Sequence, residues 1–162
     1  VAVALGVRLG VGSSLILGRL LRSDPEPWVR TVAARELGLV GGKAALKVLL
    51  RTAPTAGQDE LPTLVRALGR VGRGSAEAYG CLETALTSSS EQVREAALLA
   101  MGQSLHPCRH DAAVSHLADG SPAVRRAAVT LLDGAPAGSE ALRRACLDPE
   151  PTVASLARAA AG

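Results

Sequence analysis

One phrase returns about every 31 residues along this chain, and no other feature restricts the fold as much. Val29 to Gly38 (VRTVAARELG) recurs as Val93 to Gly102 (VREAALLAMG) and again as Val124 to Asp133 (VRRAAVTLLD). Weaker copies run from Glu60 to Gly69 and from Val153 to Gly162. The copies align on a terminal pair: Leu5-Gly6, Leu37-Gly38, Leu68-Gly69, Met101-Gly102, Leu132-Asp133 and Ala161-Gly162. They step by 32, 31, 33, 31 and 29 residues. A fixed period of this size marks stacked supersecondary units, each burying its apolar face only against its neighbours. The chain therefore reads as one elongated domain, 1–162, with units at 1–10 (partial), 11–38, 39–70, 71–103, 104–134 and 135–162. A leading fragment and the lack of a polar capping unit at either end suggest an excerpt of a longer array.

The pattern within a unit is helical. Val29, Val32, Ala33 and Leu37 fall at i, i+3, i+4 and i+8, one face of a 3.6-residue helix. Asp24-Pro25, Ser121-Pro122 and Asp148-Pro149 offer an N-cap oxygen followed by proline at the first helical position. Ser88 with Glu91 has the form of a capping box. The glycine that closes most copies suits a left-handed C′ position. A second apolar helical stretch precedes each phrase, at 13–22, 42–52, 75–87, 108–118 and 137–147. The expected unit is a pair of antiparallel helices joined by a short turn, repeated five times, with no strand.

An acidic turn residue, then Val-Arg five and six residues later, then Ala-Ala and Leu-Gly, resembles the HEAT-repeat family. The short bacterial type, which includes the HEAT-like repeats of phycobilisome (bilin) lyases, is the nearest in flavour. The resemblance spans nearly the whole chain and implies an all-α solenoid, a right-handed superhelix whose second helices line the concave face. It also implies that the turn Asp and the Arg lock adjacent units, with Asp24/Arg30 and Asp119/Arg125 as complete pairs. Ser88/Arg94 keeps only the Arg, and Asp148/Ala154 only the Asp. The second unit departs: Thr52 to Gly57 form a longer turn and Leu61-Pro62 replaces the Arg and its neighbour. Missing junction energy makes this the expected weak joint. Pro62 is tolerable in a first turn if Asp59 caps the helix.

Composition excludes several classes of function. The 162 residues are 48% hydrophobic and contain no Phe, one Trp and one Tyr, which suits closely approaching helices. No run reaches the roughly 18 apolar residues of a membrane span, and Val1 to Val11, broken by Arg8, lacks the build of a signal peptide. Cys81, Cys108 and Cys146 fall in separate units, as expected of a reducing cytoplasm. Arg greatly outnumbers Lys, the bias of a GC-rich bacterial genome. The net charge of +3 is spread along the chain without stacking aromatics, which argues against nucleic acid.

The positions two and six after the motif Val should share the concave groove. They are Thr31/Arg35, Pro62/Arg66, Glu95/Leu99, Arg126/Thr130 and Ser155/Ala159, with Arg70 and Arg158 close by. The candidate partner-binding set is Trp28, Thr31, Arg35, Arg66, Arg70, Glu95 and Arg126; the locking set is Asp24, Arg30, Arg94, Asp119 and Arg125. Trp28 has mostly polar counterparts, so it should be exposed, either anchoring an interface or lying over a neighbouring turn. Tyr79 falls on a first helix, hence on the convex side.

Three apparent chemical motifs fail on context. His106-Pro107-Cys108-Arg109-His110 lacks the paired spacing of zinc sites and reads as an inter-helix loop. Gly69 through Gly74 and Gly6 through Ser13 follow no strand, as a phosphate loop would. His106, His110 and His116 have only Asp111 and Asp119 near them in sequence, and no catalytic set converges. The reading is a non-enzymatic scaffold for a protein partner, an acidic one being the best match to the basic stripe, with no metal or cofactor. The family resemblance carries an alternative, a bilin lyase-like subunit gripping tetrapyrrole propionates with Arg35, Arg66 or Arg126. Sequence-independent nucleic-acid binding by the same arginines is a third.

Overall fold

The computed structural model describes residues 10–133 and 140–161. The leading fragment, most of the Gly6 through Ser13 run, the start of the fifth first helix at 137–139 and Gly162 lie outside the described residues. Ten α-helices follow one another, with no strand among the described residues: α1 (Gly10–Ser23), α2 (Pro27–Val40), α3 (Gly42–Thr52), α4 (Leu61–Val71), α5 (Ala76–Leu86), α6 (Glu91–Ser104), α7 (Arg109–His116), α8 (Pro122–Leu131), α9 (Glu140–Ala145) and α10 (Pro151–Ala161). A single 3₁₀ turn, Ala53–Thr55, follows α3. Odd helices are the first of each pair and even helices the second. The fold is thus the all-α solenoid that the period implies.

The helix starts differ from the expected caps. α2 begins at Pro27 behind Glu26, so the N1 proline is Pro27 and Asp24 lies two residues before the cap. Asp24 Oδ1 instead accepts the Glu26 N–H at 3.0 Å. Asp119 does the same for Ser121 at 2.9 Å, Asp148 for Glu150 at 2.8 Å and the Ser88 hydroxyl for Ser90 at 3.2 Å. These residues close a side-chain turn that leads into the helix. Ser90 is the cap of α6, so the Ser88–Glu91 capping box does not form. Ser121 does precede Pro122 as the α8 cap, but its hydroxyl is buried without a partner. Glu60, not Asp59, caps α4, and Pro62 sits in the first turn as expected.

The repeat glycines are not caps either. Gly38, Gly69 and Gly102 lie inside α2, α4 and α6, which continue to Val40, Val71 and Ser104. A Cβ on Gly38 would stand 3.0 Å from Ala67, one on Gly69 2.6 Å from Ala100, and one on Gly102 2.7 Å from the Leu131 side chain. Each glycine therefore lets one even helix press against the next. Every consecutive even pair is in contact, from α2 with α4 through to α8 with α10, and α4 with α6 is the most extensive contact of all. Among the described residues of the odd helices, clear contact is confined to α1 with α3 and α3 with α5. The even side is the tighter one. The one left-handed glycine pair, Gly41 (φ 71°) and Gly42 (φ 80°), allows the abrupt connection from α2 to α3.

Between the helix rows lie two apolar clusters. One runs from Leu17 to Met101 and is built on Leu37, Leu49, Leu64, Leu68 and Leu82, all fully buried. The other centres on Leu98, Val124, Leu142 and Val153, and Leu86, Ala112 and Leu131 pack against both.

A ladder of arginines joins the units, in a register unlike the one expected. Arg94 clasps Asp119 of the following unit with Nε and Nη2, both at 2.8 Å. Its Nη1 donates to the Ser88 and Ser89 carbonyls of its own turn, at 2.9 and 3.0 Å. Arg125 likewise clasps Asp148 at 2.7 and 3.0 Å and donates to the Asp119 carbonyl at 2.8 Å. Arg30 donates to the Asp24 carbonyl at 2.7 Å and grips Glu60. The pairs Asp24/Arg30 and Asp119/Arg125 are thus joined through the Asp backbone, while each carboxylate acceptor comes from the next unit. The three side chains are mostly buried, with 24%, 19% and 12% exposed for Arg30, Arg94 and Arg125. The irregular copies now make sense. Leu61 lacks the Arg and Ser88 lacks the carboxylate that it would have held, so one junction, α4 to α6, is without a pair on both sides. The second unit still receives Arg30 through Glu60, and the junction that lacks the ladder pair has the closest approach of the three repeat glycines Gly38, Gly69 and Gly102.

Replacing Gly69 by Ala should lower stability by about 1–3 kcal/mol, because the contact is with backbone and cannot yield without moving a helix. Gly80→Ala, in open space on α5, should be neutral or stabilise by about 0.5–1 kcal/mol. Equal urea midpoints for the two variants would contradict the close-packing role. The ladder makes a second prediction. Hydrogen bonds from Arg94 and Arg125 hold the Asp119 and Asp148 carboxyls below their ordinary range. A depressed folded pKa gives stability that is whole above the unfolded value of about 3.9 and is lost as pH falls through the folded value. Asp148→Asn should be less stable than the parent at neutral pH, and the gap should close below about pH 4. A gap independent of pH, followed by urea titration, would show that the ion pair adds nothing.

Candidate functional site

The even helices carry the expected stripe. Arg35, Arg66, Arg70, Arg126 and Thr130 are exposed, while Thr31, Pro62, Glu95 and Leu99 are half-buried. Because α2 and α4 lie against each other, Arg35, Thr63, Arg66, Ala67 and Arg70 surround a hollow of about 160 Å³. Arg66 and Arg70 are one turn apart on α4 and so share a face. Arg66 Nη2 reaches Glu95 of α6 at 3.7 Å, extending the polar line to a third unit. Arg126 continues the register on α8 outside the hollow. Thr31 turns its hydroxyl to the Pro27 carbonyl at 3.1 Å and takes no part in the hollow. Trp28, at the start of α2, is 65% exposed, in agreement with its polar counterparts.

Glu36 escaped sequence reasoning. It is only 4% exposed, and its Oε1 accepts from Arg35 Nε at 3.2 Å and Nη2 at 3.1 Å. The signal lay in the register: Glu36 occupies the place held by Ala67 and Ala100, which are buried between even helices. A carboxylate there needs a partner that reaches out to water, and the neighbouring Arg35 supplies it. Arg35 is therefore part structural, and reversing its charge would set two carboxylates together. Glu60 and Thr63 were missed for a different reason: they lie in the second unit, where the register is irregular.

The His106 turn differs from a plain loop. His106 is 2% exposed, its ring 4.5 Å from that of Tyr79, and its Nδ1 accepts the Cys108 N–H at 3.0 Å. Nε2 lies 3.3 Å from Glu83 Oε1 without the alignment of a good hydrogen bond. The donor atoms of Glu83, His106 and Cys108 all fall within 4.8 Å of one another, a grouping that joins two helix pairs. A ligating histidine normally donates its second ring N–H. His106 accepts there instead, which places its proton on Nε2, where a metal would need the lone pair. The group works as a closure of the α6–α7 turn. Tyr79 ties in as well, since its hydroxyl accepts the Gly74 N–H at 2.9 Å and donates to the Ser104 carbonyl at 3.2 Å. His110 and His116 stand apart from this group. Burial pushes the Cys81 thiol up, away from reactivity.

No family model matches the chain, and no curated protein matches it. Solved structures do. One is an engineered protein from the Northeast Structural Genomics Consortium, 19% identical with a TM-score of 0.60, over 99% of this chain and 83% of that one. Another belongs to computationally designed armadillo repeat proteins for modular peptide recognition, 19% identical with a TM-score of 0.61, over 92% of this chain and 81% of that one. No described helix is long and apolar enough to cross a membrane.

Removing the Arg35 side chain should destabilise the fold by about 1–3 kcal/mol, since the buried Glu36 carboxylate then loses the donor that it has among the described residues. Arg35→Ala combined with Glu36→Gln should recover most of that loss. Thermal melts of the single and double variants check this, and a harmless Arg35→Ala would show Glu36 to be solvated. The chain shares its fold, stacked helices in an α-solenoid, with designed repeat proteins.

Proposed function

We propose that this protein is a non-catalytic scaffold that holds an extended segment of a protein partner along its even-helix face. The observation that carries this reading is the continuity of that face. Four successive junctions bring even helices into contact, so a partner lying across them meets several units at once. Two helices per period, in place of three, favour a HEAT-type unit. The likeness to a designed repeat protein made for peptide recognition supports a peptide as the bound element. The uncommitted cations, Arg70 and Arg126, favour an acidic one, with Trp28 as a rim anchor. Three free cysteines fit a cytoplasmic setting.

The test is a photo-crosslinking residue placed at Thr130 on the even side or at Lys43 on α3, with products identified by mass spectrometry in the native host. Thr130 should yield a discrete protein adduct that disappears in an Arg70→Glu/Arg126→Glu variant of unchanged melting temperature. Adducts arising only from Lys43 would put the working face on the odd helices.

A further inference from the structure

We infer that the hollow framed by Arg35, Thr63, Arg66 and Arg70 is a seat for one side-chain carboxylate of an extended acidic peptide, a site that fixes the peptide's register on the stack. This rests on the reading of the even-helix face as the binding surface and specifies its chemistry.

The donors around the hollow are unequally engaged. Arg35 is bound to Glu36, and Arg66 leans on Glu95 at a loose 3.7 Å. Arg70 and the Thr63 hydroxyl have no acceptor among the described residues, although both line the hollow. An Arg fork and a hydroxyl converging on one space form the donor set that a carboxylate takes up with two oxygens. The floor is Ala67, and it is small for a structural reason: Gly38 presses against it from α2. The close approach that holds the stack together thus keeps the hollow open.

Charge selects among anions. Three guanidiniums (Arg35, Arg66, Arg70) and two carboxylates (Glu36, Glu95) leave one net positive charge around the hollow. One carboxylate neutralises it. A phosphomonoester, near two negative charges at neutral pH, overshoots and crowds the two carboxylates already present. The seat therefore suits glutamate or aspartate over a phosphorylated side chain.

The experiment uses a fluorescein-labelled twelve-residue peptide of alternating glutamate and serine, with a glutamine version as control, read by fluorescence anisotropy at low salt. The glutamate peptide should bind and the glutamine peptide should not. Arg70→Gln should weaken binding about fivefold, the scale of one partly exposed charge-assisted contact, and Thr63→Val should weaken it less. Arg73→Gln, which removes an exposed charge in the turn after α4, should change nothing. If Arg73→Gln weakens binding as much as Arg70→Gln, attraction is diffuse and the seat is refuted, while the face remains the binding surface. If the glutamate peptide binds and the Arg70→Glu/Arg126→Glu variant binds it equally well, the seat and the face both fall. Tighter binding when one glutamate is replaced by phosphoserine would overturn the choice of carboxylate.

Discussion

The close approach of the even helices is the constraint from which most of this molecule follows. Gly38 meets Ala67 and Gly69 meets Ala100 at separations that leave no room for a methyl group. Helices this near bury their backbones against each other, and interaxial distance is set by the side chains at the contact. Among the described residues the odd helices have one comparable contact, Gly18 of α1 against the Val48 side chain of α3 at 3.1 Å, and their mutual contact fades after α5. Small residues at one repeating position thus make the even-helix face continuous from unit to unit. They also explain a composition almost without aromatic residues: wide rings would push the rows apart.

The arginine ladder then ties three of the four even-helix junctions. Each Arg bonds to carbonyls at the start of its own helix and to an acid in the following unit, so a single side chain ties two turns together. Two of the three acids are doubly engaged as well: Asp119 and Asp148 each accept from an Arg and from the backbone N–H two residues on. The electrostatics agree from both ends. Hydrogen bonding to the acids pushes Arg30, Arg94 and Arg125 up, and the Arg hydrogen bonds pull Asp119 and Asp148 down. At the α4–α6 junction both partners are gone together. A lone buried Arg or Asp would be costly, whereas the absence of both costs little.

The fold was legible because period and helical pattern point to the same unit. What stayed hidden was the partner of each repeated residue. Lining Asp24 up with Arg30 in one copy suggested a pair within the unit, because a sequence shows spacing along a helix and not the offset between helices. The repeat glycine was misread for a related reason: Gly38 with helix beyond it and Gly38 ending a helix look alike until Ala67 is set beside it. Of the candidate face, exposure and register were readable, including Trp28. The convergence of Arg35, Arg66 and Arg70 with Thr63 was not, since it depends on how α2 and α4 pair. Glu36 could have been seen by comparing its place with Ala67 and Ala100, an acid where the other copies have a methyl group.

The arginines divide by register into two kinds of work. Those directly after the motif Val (Arg30, Arg94, Arg125) are committed to the junctions and cannot change without loosening the stack. Those two or six positions after it, with Arg70, stand on the open face. Arg35 belongs to both groups, since it faces the hollow while neutralising the buried Glu36. If the even-helix face binds as proposed, stability and binding are coupled on α2 and separable at Arg70 and Arg126. On the proposed reading, a side chain at Arg70 or Arg126 could vary with the partner at little cost to folding, because neither is tied into a junction.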